Sequence, residues 1–304
     1  MPPYDPGTKG RFFSGEYSMS NKILIASDST TDLSPELIKD YGIAIIPLGV
    51  ALGERQFTDG VDIDPDYIYA HYEKTGELPK TSAVNLTDFE DFFKEHTADG
   101  TSVILFTISG EMSSTFRNAQ LAAEGIENAY AVDTRNLSTG GGLVVLAAAE
   151  MARAGMSAPE IVEKCCELRD RVDASFVIDS LEFLHKGGRC SALAAFGANV
   201  LGLKPCILVS GGKMGVGKKY RGKFAPVLSK YVAERLGDAS DVILDHVFVT
   251  HAGCDPEVVN ACVEQVKTIA PDAVVHVTRA GCTVSAHCGR NTLGVLFIRK
   301  SSVV

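Results

Sequence analysis

Long apolar runs, paired cysteines and an excess of base are all missing from this chain, and each absence closes off a class of function. No stretch reaches the roughly 18 uncharged apolar residues that a membrane span requires, so no stable membrane insertion is expected. Lys and Arg number 29 against 38 Asp and Glu, a formal net charge of −9. A surface of that sign does not suit a general binder of nucleic acid or of anionic membranes. The eight cysteines include no Cys-x-x-Cys pair and follow no secretory core, which reads as reduced thiols in a cytoplasmic protein. Around Ser113 the Gly-x-Ser-x-Gly elbow of hydrolases is absent as well.

What is present is a chain of 304 residues, 45% of them hydrophobic, enough for two globular domains with sizeable cores. Residues 1–20 hold three prolines, three glycines and three serines. They are expected to be a disordered extension or tag, with Met19 as a natural start. From residue 21 to 172 strand and helix signals alternate. Strands are expected at Ile23–Ala26, Ile43–Val50, Val103–Ile108 and Ala129–Val132. Helices are expected at Pro35–Tyr41, Pro65–Tyr72, Thr87–His96, Phe116–Glu124, Gly140–Arg153 and Pro159–Val172. Alternation of this kind predicts an α/β domain built on a parallel sheet. From 173 to 304 the pattern changes to strands at Phe176–Ile178, Cys206–Val209, Met214–Tyr220, Asp245–Thr250, Ala273–Val277 and Leu293–Ile298. With helices at Phe224–Leu236 and Pro256–Lys267, these predict a second α/β domain on a mixed sheet.

Chemistry concentrates at strand ends. The stretch Phe106 to Ala119 runs from an apolar strand through a Gly/Ser/Thr turn into a helix, so Ser113, Ser114 and Thr115 fall near a helix start. Unpaired N–H groups and the positive end of the helix dipole gather there, and added hydroxyls make a cradle for a carboxylate or phosphate. A serine that merely caps the helix satisfies the same pattern. Asp28 ends the first strand in Ser27-Asp28-Ser29-Thr30-Thr31-Asp32, where open α/β sheets face their ligand crevice; a turn or capping aspartate fits equally. Gly212 to Lys218 has P-loop spacing, but Lys219 stands where a magnesium-binding hydroxyl is needed, and a glycine hairpin accounts for it more simply. His251, Cys254, Cys282, His287 and Cys288 lack the paired spacing of a metal site, so no metal is expected. Two basic clusters, Lys186-Gly187-Gly188-Arg189 and Lys218-Lys219-Tyr220-Arg221, fit either solvated surface or a docking face for an acidic or phosphate-carrying partner.

In order along the chain, Ser27 to Leu33, Thr81-Ser82, Ser109 to Ala119, Leu181 to Arg189, Leu203-Lys204-Pro205 and Ser285-Ala286-His287 with Gly289 and Leu293-Gly294 resemble the DegV family. These are the fatty-acid-binding subunits of bacterial fatty acid kinases, and the match runs from Ile23 to Ile298. The resemblance implies a two-domain protein that buries a long-chain fatty acid, its carboxylate held by Thr81, Ser113, Ser114 and His287. Asp28, Ser29, Ser82 and Arg290 would neighbour that site. A partner kinase catalytic subunit would phosphorylate the bound carboxylate and contact Arg189 and Arg221, leaving this chain with no catalytic residue and no cofactor of its own. The apolar stretch Ala192 to Leu203 would line the acyl tunnel. Departures from the family pattern are Ala83-Val84-Asn85, Ser114, Cys288, Arg290 and Asn291. An enzyme or substrate domain acting on a small phosphorylated or hydroxylated metabolite, on the related dihydroxyacetone kinase fold, is the alternative.

Overall fold

The computed structural model describes residues 22–188 and 202–301, and among them three sheets form. The first is wholly parallel, in the order β2-β1-β6-β7, from β1 (Ile23–Asp28), β2 (Ala44–Ile46), β6 (Ser102–Thr107) and β7 (Ala129–Asp133). Every residue of β6 is buried, as a central parallel strand covered on both faces should be. The second sheet has seven strands and mixed direction. It contains β8 (Val172–Asp173), β9 (Ser175–Ile178), β10 (Leu203–Ser210), β11 (Lys213–Arg221), β12 (Val242–Ala252), β13 (Val275–Arg279) and β14 (Thr292–Arg299). Only β12 and β13 pair in parallel; β14 sits in the middle, antiparallel to both β9 and β12.

The third sheet is a small antiparallel one, β4-β3-β5, from β3 (Gly49–Leu52), β4 (Arg55–Thr58) and β5 (Lys80–Ser82). It corrects the expectation of one strand over Ile43–Val50. Pro47 has no N–H to donate, so the ladder cannot run through it. The chain therefore leaves the parallel sheet after Ile46 and enters a different one at Gly49. The hairpin expected around Gly211-Gly212 is present, with β10 and β11 paired across it.

Helices fill the layers between and outside the sheets. Helices α3 (Leu86–Thr97) and α4 (Thr115–Ala123) cover the outer face of the parallel sheet through Phe89, Phe93, Ala119 and Ala122. Helices α8 (Phe224–Leu236) and α9 (Pro256–Ile269) cover the outer face of the mixed sheet. Between the two sheets lies α5 (Thr139–Arg153), ten of whose fifteen residues are buried. Its Leu143, Val144, Val145 and Leu146 pack with Ile104 and Phe106 of one sheet and Phe176 and Leu296 of the other in one cluster. A helix apolar on all sides needs cover on all sides, and two sheets supply it. Helix α6 (Ala158–Leu168) ends four residues short of its expected limit, passing into a 3-10 turn at Arg169–Arg171 before β8 joins the mixed sheet. Of the shorter helices, α1 (Pro35–Tyr41) and α2 (Pro65–Thr75) match expected segments closely, and α7 spans Glu182–Gly187. Helix α10 (Cys282–Cys288) was not expected. No described helix is long and apolar enough to cross a membrane.

Candidate functional site

Three distant pieces of chain meet where the three sheets converge. Strand β5 carries Thr81 and Ser82, the loop between β6 and α4 carries Ser113 and Ser114, and α10 carries His287. Thr81 Oγ1 lies 2.9 Å from His287 Nε2, joining positions 206 residues apart. All five residues line one cavity of about 270 Å3, partly open to solvent, together with Met112, Leu137, Met214 and Val284. Ser113 is half-buried and Ser114 exposed. Ser113 Oγ accepts the Thr115 amide at 3.2 Å and lies 2.8 Å from Thr115 Oγ1, so this serine supports the helix start and faces the cavity as well. Ser114 makes no capping bond.

The position of His287 is fixed from both ends of α10. At its start, Asp59 accepts from the amides of Cys282 (2.9 Å) and Thr283 (3.2 Å) and from Thr283 Oγ1 (2.6 Å). Asp32 accepts from Gly281 N at 2.8 Å and from the Ser138 hydroxyl. Two carboxylates from the first half of the chain thus satisfy the orphan donors of a helix in the second half. These hydrogen bonds fix the start of α10, so the clasp sets where the imidazole sits. At the far end, Gly187 of α7 lies against the ring: a Cβ there would fall 2.5 Å from His287 Nδ1. Glycine at 187 is therefore a matter of space, not of backbone conformation. Burial pushes the Asp32 carboxyl up to about 8 against the lowering effect of its two donors.

Behind the polar mouth lies a narrow second cavity of about 30 Å3, walled by Ala174, Phe176, Val209, Ala252 and Leu296 among others. It shares Leu137, Val284 and Cys288 with the first. At about 270 Å3 the mouth comes close to the roughly 300–1,000 Å3 of small-molecule pockets, whereas the inner gap must widen to take an acyl chain. Burial raises the Cys288 thiol to about 12, keeping it neutral and apolar at the junction.

The other expected site residues lie elsewhere. Asp28 is fully buried, accepting from Thr30 N (3.0 Å), Thr30 Oγ1 (2.6 Å) and Ile108 N (2.7 Å). It ties the ends of β1 and β6 together and does not line the cavity. Burial raises it to about 6. Ser29 donates to Asp59 at 3.0 Å and accepts Leu48 N at 3.1 Å, serving the clasp from outside the pocket. Arg290 lies over the Tyr69 ring, 4.9 Å from its centroid, and 3.8 Å from Glu73, so its cation turns away from the cavity lining. Arg221 ends β11, exposed on a sheet edge. Arg189, and the stretch Ala192 to Leu201 of the expected tunnel lining, fall outside the described residues. Asp59, Leu137 and Val284 were not foreseen. An aspartate at Asp59-Gly60 reads as a turn, and two aliphatic residues read as core, so nothing local marks them.

Fold and site together define an α/β protein with a cavity that is polar at its mouth and apolar behind. The family model described as "Uncharacterised protein, DegV family" matches residues 22–300, and the chain belongs to that family. A DegV domain-containing protein of Clostridium perfringens is 34% identical over 204 residues, covering 66% of this chain and 73% of that protein. Among solved structures, a DegV family protein from Thermus thermophilus described as fatty acid binding superposes with a TM-score of 0.83. It is 27% identical and covers 91% of this chain and 99% of its own. A stearic acid-binding protein from Eubacterium ventriosum gives a TM-score of 0.79 at 26% identity, with 91% and 98% covered.

Proposed function

We propose that this chain binds one long-chain fatty acid and presents its carboxylate to a partner, an ATP-dependent fatty acid kinase catalytic subunit. The observation that carries the reading is the pairing of the hydroxyl-and-imidazole mouth at Thr81, Ser113 and His287 with an apolar chamber sharing its inner wall. Hydroxyl and imidazole N–H groups donate to a carboxylate, and each buried methylene of the tail contributes about 0.8 kcal/mol. The fatty acid and stearic acid named for the two solved relatives supply the ligand class. In the partner's active site a carboxylate oxygen attacks the γ-phosphorus of ATP, the bond to the β–γ bridging oxygen breaks, and ADP leaves behind an acyl phosphate. The chain itself holds and exposes the head group and performs no chemistry. Asp28, held by Thr30 and Ile108, is committed to structure. The free cysteines among the described residues support a reducing, cytoplasmic setting for the reaction.

Extraction of the purified protein followed by mass spectrometry is expected to release a fatty acid. Turnover of a small metabolite with ATP by this chain alone, with no lipid recovered, would overturn the reading. His287→Ala is expected to weaken binding about 10- to 150-fold, the equivalent of one donor to a charged group. Arg189→Ala and Arg221→Ala are expected to leave fatty acid affinity intact and to lower kinase-coupled acyl phosphate formation; collapse of binding in either would make that arginine structural.

A further inference from the structure

A third cavity, of about 180 Å3, opens between the turn after β7, the end of α6 and the β10–β11 hairpin. It shares no lining residue with the carboxylate pocket. Its walls carry Arg135, Arg169, Asp170, Ser210, Gly211 and Gly212. Two guanidiniums against one lining carboxylate leave a positive surplus in a chain whose overall charge is −9.

Neither arginine is fully used. Arg169 is half-buried; its Nη1 donates to the Asp133 carbonyl at 2.6 Å, while its Nε is buried without an acceptor and the side chain joins no ion pair among the described residues. A buried donor left unmade costs about 1–3 kcal/mol, and a half-buried guanidinium with no ion-pair partner leaves room for an anion. Arg135 pairs with Asp170 at 3.0 Å, but that carboxylate is 52% exposed, so solvent screens the pair and makes it easily exchanged. Arg135 also has a left-handed backbone, φ 51°, fixed by the bond from its amide to Asp133 Oδ1 at 2.7 Å. Its guanidinium lies over the hairpin turn. Gly211 and Gly212, both at positive φ, leave the hairpin bare beneath it: a Cβ at 211 would lie 3.6 Å from Arg135 Nη2. The other charges nearby are engaged. Asp133 Oδ1 also accepts Gly110 N at 3.3 Å, and Glu111 pairs with Lys213 at 3.2 Å.

We propose that this cavity is a second ligand site, which binds the phosphate group of a phosphorylated small molecule between Arg135 and Arg169. Guanidinium forks match phosphate oxygens two at a time. Two forks with the Ser210 hydroxyl offer more donors than a single carboxylate can accept, and this selects phosphate. Asp170 occupies the place of that anion when it is absent and is displaced when it binds. The site does not depend on the fatty acid reading: its polar lining is separate from the carboxylate pocket, and Val209 alone is common to its wall and that of the inner chamber.

Inorganic phosphate is the probe, titrated into the full-length protein at constant ionic strength with chloride and acetate as controls. Phosphate is expected to raise the melting temperature and to give saturable heat of binding, which chloride and acetate do not. Arg169→Gln is expected to reduce phosphate affinity at least tenfold. Asp170→Asn, which removes the internal competitor, is expected to raise it severalfold. Equal responses to phosphate and chloride, or to phosphate and acetate, would overturn the proposal. So would an Arg169→Gln protein that binds phosphate as well as wild type. Should that variant fail to fold, Asp170→Asn decides alone: unchanged or weaker phosphate binding there refutes the site.

Discussion

The two chambers of the central cavity are built on opposite principles. The mouth is assembled from side chains on separate elements, Thr81 on β5, Ser113 before α4 and His287 on α10, each held by a few named hydrogen bonds. The inner chamber is an unfilled part of the main core, walled by Phe176, Val209, Ala252 and Leu296, residues that also join the two large sheets. Changes at the mouth should therefore separate binding from stability, whereas changes in the chamber should move both.

The largest effect expected is from Val284→Trp, at the wall common to both chambers. Displacing about four methylenes of a tail costs about 3 kcal/mol at 0.8 each, so fatty acid affinity should fall on the order of 100-fold. Overpacking should cost a further 1–3 kcal/mol of stability. Displacement of a fluorescent fatty acid and a urea melt measure the two, and undiminished affinity would show that no tail passes this point. Gly187→Ala comes next. Its methyl must displace the His287 ring, 2.5 Å away, and a loss of about tenfold in affinity with little change in melting temperature is expected. Equal losses of both would show that the mouth is as integral to stability as the chamber.

The smallest effect on binding is expected from Asp32→Asn, whose amide oxygen still accepts from Gly281 N while its NH2 donates to the Ser138 hydroxyl, reversing that bond. Its signature is pH dependence. Asp32 is raised to about 8 in the folded protein from an ordinary value of 3.8, so unfolding releases its proton at intermediate pH. The stability linked to that proton is complete below about pH 4 and is lost as pH rises toward 8. Wild type should thus lose more stability than Asp32→Asn between pH 5 and pH 9. A difference between the two proteins that does not vary with pH would show that Asp32 is ionised throughout.

The uneven legibility of the chain follows the same division. Long periodic segments such as Phe224–Leu236, and the buried run of β6, declare themselves because burial on a fixed period leaves a pattern. The family motifs at Thr81, Ser113 and His287 pick out residues that meet in one cavity. The short exposed strands β4 and β5 carry no such pattern, for three or four polar residues on a sheet edge look like a turn. Helix α10 escapes because its start is satisfied by Asp32 and Asp59 from far along the chain, not by a capping residue of its own. Asp28 misleads in the other direction: a polar residue at a strand end can be a joint between strands as readily as a ligand-binding group.

Helix α5 lies against both large sheets at once, and a cut after residue 172 would leave one of its sides bare to water. Each sheet would then display an apolar face whose cover belongs to the other fragment. Neither piece should persist alone, and mixing the two should restore what either lacks. The whole chain accordingly should melt in a single step, with this helix as the axle that turns both wheels.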